Sequence, residues 1–375
     1  MSFKRVFLLI LMTLLMISLT PIKINADDWS YGEDKYYTIY DEATNKELFK
    51  IAWEVDVGDK YLSTDNKLYI ITRIDEANFK GYAKLEKDIQ LPDVSEDVTE
   101  AAALENNGRK LIAIYSTHSD ESYKPSDGTT SEKGKGGIYD VDEVLKKALN
   151  EKGIDVVLST KVNLPHDSKA YSRSRAIAVR LLQKRPDAIL DIHRDAVPAE
   201  EYVRNIKGID ATAIRLVIGR RNQNITANEN FAYRVKAVAD KMYPGLIKDI
   251  YFGKGDYNQD LYPRSLLVEF GTAYHTKERA EKAADLFADV ISRALYGPNV
   301  QKEMTPWGTS TYLGGERSAA GTAILIIIGV ITIAGIAFVL LSMGGKEMRS
   351  KVSSFFKKEF ASFLGQIRRR RGKGE

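Results

Sequence analysis

The chain has 375 residues, 44% hydrophobic and 28% charged, a balance that belongs to folded domains and excludes disorder as the default. It contains no cysteine, so thiolate metal sites, disulfide staples and a cysteine nucleophile are excluded, and any metal must be held by histidine and carboxylates. The net charge of +4 is not that of a nucleic-acid-binding face: Lys346 to Glu375 holds ten Lys/Arg against three Asp/Glu, a surplus of seven that leaves the rest near −3.

Residues 1–26 carry Lys4 and Arg5 ahead of an apolar run from Val6 to Leu19, which is short for a bilayer span and suits a signal-peptide core. Cleavage after Ala26 is one expectation. Ile24 stands where a small residue is usual, so an uncleaved anchor is the other. Residues 27–89 then change to short runs rich in Tyr, Ile and Val broken by Thr-Asn and Asp-Asn turns, which predict hairpins and a small β-rich accessory domain. It has no histidine. Residues 90–109, acidic and weakly patterned, read as a linker.

Residues 110–297 alternate strand and helix signals and predict an α/β fold, an open sheet with helices on both faces. LIAIYST, IDVVLST, AILDIH, GIDATAIRLVIG and RSLLVEFGT are the expected strands. Between them lie amphipathic helices. One places Val141, Val144, Leu145, Ala148 and Leu149 on a face and stops at Gly153; the last does so with Ala283, Ala284, Phe287, Ile291, Ala294 and Leu295.

A polar spacer over 298–318 leads to the uncharged stretch 319–345, long enough to cross a hydrocarbon core of roughly 30 Å as one transmembrane helix. The basic tail 346–375 stays in the cytoplasm by the positive-inside rule, as Lys4 and Arg5 must, so residues from about 27 to 318 are expected to be extracytoplasmic on a cell membrane. Within the tail Val352, Phe355, Phe356, Phe360, Phe363, Leu364 and Ile367 recur at helical spacing. They fit either a helix on the inner leaflet or a simple stop-transfer flank.

Three apolar runs end in chemistry: LIAIYST delivers His118, AILDIH delivers His193, and SLLVE delivers Glu269. Open α/β sheets place sites beyond the carboxyl ends of their strands, so these three should converge. A catalytic zinc takes three protein ligands and keeps one position for water. His118 and His193 fill two places, and Asp140, at the start of a helix, is the choice for the third. Asp140 with Glu143 also spells a capping box, which would explain both carboxylates without metal. Glu121, Asp120 and Asp142 are the next candidates. Glu269, in an otherwise apolar run, reads as the general base of a metal hydrolase or as half of a salt bridge. His166 is a loop residue, a fourth ligand or a transition-state donor, and His275 reads as surface. Arg194, Arg264 and Arg175 are the cations placed to hold a substrate carboxylate. No Gly-x-Ser-x-Gly, His-Glu-x-x-His or Walker motif is present.

The order HSDES, GGIYDVDEVLKKAL, VVLST, AILDIHRDA and LLVEFGT is similar to the zinc-dependent N-acetylmuramoyl-L-alanine amidases of the amidase type 3 fold. Within that fold YSTHSDESY, YSRSRA, LDIHRDA, YPGLIKDIYFGKGDYNQDL and PRSLLVEFGT resemble the stage II sporulation protein P family. The resemblance implies a membrane-held peptidoglycan hydrolase acting in endospore engulfment, with zinc on His118 and His193, Asp140 in the register of the middle ligand and Glu269 as the catalytic glutamate. It also implies a second wall-degrading enzyme and other membrane proteins as partners, and it leaves open the cutting of peptide cross-links. Asp140 departs from the usual glutamate, and the carboxyl-terminal span departs from the usual amino-terminal anchor. A non-catalytic wall-binding or scaffold protein on the same fold is the rival class.

Overall fold

The buried apolar runs form strands of one eleven-stranded mixed sheet in a computed structural model that describes residues 35–94 and 109–297. The expected signal segment (1–26), most of the acidic linker, the spacer, the expected transmembrane stretch (319–345) and the basic tail lie outside the described residues. Among the described residues no helix is long and apolar enough to cross a membrane.

In chain order the elements are β1 (Tyr37–Asp41), β2 (Glu47–Ile51), β3 (Lys60–Leu62), β4 (Lys67–Asp75), β5 (Lys80–Asp88), β6 (Leu111–Tyr115), the single turn α1 (Lys124–Asp127), α2 (Ile138–Glu151), β7 (Asp155–Ser159), α3 (Ala170–Leu182), β8 (Ala188–Asp195), β9 (Val203–Ile206), β10 (Ile209–Thr212), β11 (Ile214–Gly219), α4 (Ile225–Met242), β12 (Ile247–Gly253), β13 (Ser265–Thr272) and α5 (Lys277–Tyr296). Strands lie in the order β2-β1-β5-β4-β3-β12-β11-β13-β8-β6-β7, and β9 with β10 makes a separate hairpin.

Two expectations change here. The amino-terminal strands form as hairpins, yet they are not a separate domain: β3 pairs antiparallel with β12 (Tyr61 opposite Tyr251), and residues 35–297 fall in one compact unit. Such a pairing across nearly two hundred residues leaves no local sequence signal. The segment IKDIYFG is a strand, β12, although Lys248 and Asp249 interrupt its apolar text; both are buried, and Asp249 pairs with Arg215 of β11. Ile89 and, from the described start of the linker, Leu91 and Val94 pack on the core as well.

One face of the sheet carries Ile112, Leu190, Leu216, Ile250 and Val268 against α2, α4 and α5, and the predicted stripes of α2 and α5 are buried there, with Val144 only partly so. Burying each such Leu, Ile or Phe contributes about 1.5–3 kcal/mol. Gly153, with φ 75°, ends α2 in a conformation that disfavours other residues. The second face is shared. At one side α3 lays Ile177, Ala178 and Leu181 on Ala113 and Ile189; toward the centre the sheet curls, so that Tyr37, Ile39, Phe49 and Ile51 of β1 and β2 pack on Val217, Tyr251 and Leu267. Helices therefore lie on both faces, as expected, but the amino-terminal strands cover part of the second.

Candidate metal centre

β6, β7, β8 and β13 run parallel, and β11 turns the direction by pairing antiparallel with β13. The strand ends therefore gather on one edge. All five residues of β6 are buried, so the chain emerges at Ser116 with His118 just beyond it. In β8 and β13 Glu269 stands directly opposite His193, which puts the two side chains on one face of the sheet.

The third member is Glu121, in the loop after β6. Backbone contacts fix that loop: Ile138 N–H donates to the Glu121 carbonyl (3.0 Å), Gly136 N–H to the Ser119 carbonyl (2.9 Å), and Gly137 N–H to Ser122 Oγ (3.1 Å). A Cβ at Gly136 would lie 2.2 Å from the Glu121 carbonyl oxygen, so the close approach requires glycine. Glu121 Oε1 lies 3.2 Å from His118 Nδ1, and Oε2 lies 3.4 Å from His193 Nδ1. The three residues offer ligand atoms within 4.8 Å of one another. A tetrahedral ion with bonds of about 2.0–2.2 Å separates its ligands by roughly 3.3–3.6 Å, close to the two distances from Glu121 to the imidazoles, so these residues fit a zinc-like ion.

Polar groups left over at the centre support the same fit. Both Glu269 oxygens and both His193 nitrogens are buried without a well-aligned hydrogen bond among the described residues, a condition native interiors rarely tolerate. His193 Nε2 is nonetheless only 3.0 Å from Asp191 Oδ1, and Asp191 is itself fixed by Thr117 N–H (2.8 Å) and Thr117 Oγ1 (2.6 Å). A carboxylate behind a ligating imidazole orients it and raises its basicity. Burial, with His166 nearby, pushes His118 down to about 4, so its ring is neutral and ready to ligate at pH 7. Against the cost of burial, Asp191 and Glu121 hold His193 well above the ordinary range, while His193 and Arg194 hold Glu121 well below its own. Burial drives Glu269 well above the usual carboxylate range, with Asp195 and Glu121 adding repulsion. Carboxylates thus outnumber cations here, and a divalent ion would balance them.

His118, His193 and Glu269 come together at the strand ends; Glu121, a second-choice ligand in the sequence, joins them, and Asp140 does not. It is solvent-facing on α2, with its carboxylate 2.7 Å from Lys277 Nζ, and Gly137 occupies the cap position, so Asp140 is neither ligand nor cap. Asp142 is buried and accepts from Ser116 Oγ (2.9 Å), and Asp120 takes Ser131 Oγ (2.6 Å) and faces His166 Nδ1 (3.1 Å). His166 is not a solvated loop residue: its ring stacks on His118 with centroids 3.8 Å apart. His275 is buried, not at the surface, and its Nδ1 accepts from Thr272 N–H (3.2 Å).

Of the cations, Arg194 borders the site, but its guanidinium donates to the carbonyls of Ser122 and Thr130, so it secures the Glu121 loop. Arg264 sits before the first residue of β13, at the far end of the strand from the centre, and bonds the Asp187 carbonyl. Arg175 is locked on Asp260 (2.6 and 2.7 Å). Sequence reasoning missed the aromatic residues of the small cleft at the centre: Trp53, Tyr171 and Tyr257 line it with His118, Glu121 and Arg194. YSRSRA and GDYNQDL, which hold Tyr171 and Tyr257, are among the stretches that carry the family resemblance but give no sign that these rings meet, and AWEVD around Trp53 carries no periodic or motif signal at all.

A family model described as Stage II sporulation protein P matches residues 45–292. The match begins between β1 and β2, so β2 to β5 of the sheet extension fall inside it and β1 does not. A stage II sporulation protein P of Bacillus subtilis (strain 168) is 30% identical over 208 residues, covering 50% of this chain and 52% of the relative, so the chain spans about half the length of that protein. Among solved structures, the N-acetylmuramoyl-L-alanine amidase AmiC2 of Nostoc punctiforme is similar at 15% identity and TM-score 0.33, over 50% of this chain and 94% of that one. The CwlD amidase from Clostridioides difficile, solved in complex with the GerS lipoprotein, is similar at 16% identity and TM-score 0.32, over 50% and 98%.

Proposed function

The chain belongs to the stage II sporulation protein P family, and from that premise we propose that it is a zinc-dependent peptidoglycan hydrolase. It cleaves the amide between N-acetylmuramic acid and the L-alanine of stem peptides. The observation that carries this reading is the convergence of His118, Glu121 and His193 with a buried, unpaired Glu269 beside them.

His118, Glu121 and His193 would hold the ion, with Asp191 orienting His193 from behind. Zinc bound there supplies a Lewis acid that polarises the amide carbonyl and acidifies water. Glu269 takes the water proton on a carboxylate oxygen and later returns it to the leaving alanine nitrogen. The raised proton affinity that burial gives this carboxyl suits the return step. Arg194 keeps Glu121 in place through its backbone N–H, which donates to Glu121 Oε2 (3.0 Å).

The chain acts on the outer side of the cell membrane during endospore engulfment, held by the apolar stretch 319–345, beside a second wall-degrading enzyme. The positive flanks of both apolar segments support that orientation. Loss of one ligand from a three-ligand site removes much of the metal's binding energy. His118→Ala and His193→Ala should therefore lower bound zinc and release of stem peptides from wall sacculi together, with zinc read by metal analysis and products by mass spectrometry. Full zinc occupancy in His118→Ala would overturn the assignment, and zinc-loaded wild-type protein that only sediments with sacculi would identify a non-catalytic wall-binding protein.

A further inference from the structure

Trp53 enters the cleft from outside the α/β core, on the segment that joins β2 to β3. That segment is held at several points. Ala52 and Val55 are buried, Asp56 pairs with Lys254 (2.8 Å), and Asp59 accepts from Tyr251 Oη (2.6 Å) and pairs with Arg220. The indole is only partly buried, so its anchored backbone presents an aromatic face to the cleft. Beneath it lies Tyr257, with ring centroids 5.8 Å apart.

Tyr257 is held at some cost. Its φ is 49° and that of Asn258 is 58°, both in the left-handed region that non-glycine residues rarely enter. A Cβ at Gly255 would meet the Tyr257 ring at 2.7 Å, so glycine is what allows the ring to lie there. The Tyr257 hydroxyl is buried with no hydrogen-bond partner among the described residues. A stability-driven sequence would place Phe there, because an unpaired buried hydroxyl is destabilising. From Tyr257 the rings continue to Tyr171 (5.3 Å) and on to His118 (5.5 Å).

We propose that Trp53 and Tyr257 form the subsite for the sugar ring of the substrate, the N-acetylmuramic acid on the carbonyl side of the scissile amide. This deepens the hydrolase reading and rests on it. Trp53 lies three ring contacts from His118, which leaves the reacting amide at the metal ligands and offers the indole to the neighbouring group. A pyranose ring has an apolar C–H face that matches a flat aromatic surface, and hydroxyls that can pair with Tyr257 once the indole shifts to admit them. The alanine on the other side of the bond has no flat face to offer.

The test uses the full-length chain, zinc-loaded and carrying Glu269→Gln so that binding outlasts turnover. Two ligands share the amide: an N-acetylmuramyl peptide, and the D-lactoyl peptide of the same sequence, which lacks the sugar. Trp53→Leu should weaken the muramyl peptide roughly tenfold while the lactoyl peptide stays within about twofold, and Trp53→Phe should keep most of the difference. Tyr257→Phe should weaken the muramyl peptide roughly 3- to 10-fold with its melting temperature unchanged or raised. Equal loss of both ligands in Trp53→Leu, or no loss of either, overturns the subsite. If zinc-loaded wild type releases no stem peptide from sacculi, the hydrolase reading fails instead, and the two binding constants still report on the subsite.

Discussion

Four ionisable groups stand side by side across four neighbouring strands, His193 on β8, Glu269 on β13, Arg215 on β11 and Asp249 on β12, and the two halves of this row are treated oppositely. In the Arg215 half the charges are saturated. Its guanidinium spans Asp249 (2.7 and 3.0 Å), Asp195 (3.0 Å) and the Lys50 carbonyl (3.1 Å), and Asp195 also accepts from Tyr202 Oη (2.8 Å). In the His193 half, at equal depth, Glu269 has no hydrogen-bond partner among the described residues, and His193 faces carboxylates without a well-aligned bond. A satisfied buried ion pair holds the curl of β2 over the sheet. An unsatisfied one costs stability and is kept where something else completes it.

The widest separation between the halves comes from Glu269→Gln. Turnover on sacculi should fall by about 10² to 10⁴ while zinc still binds, because the positioned base is lost and the ligands are not. Stability should move the other way. A carboxyl whose folded pKa is raised contributes stability that is full below its unfolded value and is lost as pH rises toward the folded one, so metal-free Gln protein should match wild type near pH 4 and melt higher at pH 8. Lower melting at pH 8 would mean that Glu269 has a partner and belongs with the structural half.

Arg215→Met is the opposite experiment and the next in size. It leaves Asp195 buried without its cation and Asp249 with only Lys248 (3.2 Å), and should cost about 3–5 kcal/mol in urea unfolding with zinc stoichiometry unchanged in the folded fraction. Loss of under 1 kcal/mol would remove the distinction between the halves. A milder effect is expected from His275, which burial holds down at about 4. Its unfolded pKa is near 6.5, so the unfolded chain gains a proton first, and stability present above pH 6.5 is lost as pH falls toward 4. The linkage is on the order of 3 kcal/mol. His275→Gln should flatten the pH dependence of the denaturation midpoint across that window.

The row was partly legible because strand interiors are continuous apolar text, and His193 and Glu269 stand out where such text ends. Arg215 was hidden in the same kind of text, since a sequence gives no sign of whether a buried charge has a partner. Asp140 stood ahead of Glu121 because it sits at a helix start, whereas the position of Glu121 depends on Gly136 and on a backbone bond from Ile138 that no periodicity records. Trp53 could not be placed at all, since its route to the cleft runs through the pairing of β3 with β12.

That misplaced ligand supplies the smallest and sharpest of the expected effects. Asp140 and Lys277 are both partly exposed, with the ion pair at 2.7 Å, and Lys277 keeps a second partner in Asp127 (2.7 Å) when Asp140 is neutralised. An exposed pair of this kind is worth about 0–1 kcal/mol, so Asp140→Asn should shift the melting temperature little and leave zinc affinity alone. Glu121→Gln is its counterpart: nearly isosteric and buried between two histidines, it removes the anionic ligand and should release the ion. The pair of variants separates position from chemistry, because each replaces one carboxylate by its amide near the start of α2, and only one of the two faces His118 and His193. If Asp140→Asn weakened zinc and Glu121→Gln did not, the loop after β6 would have to rearrange when metal binds, and the unpaired state of Glu269 would have to be read again from that rearranged loop.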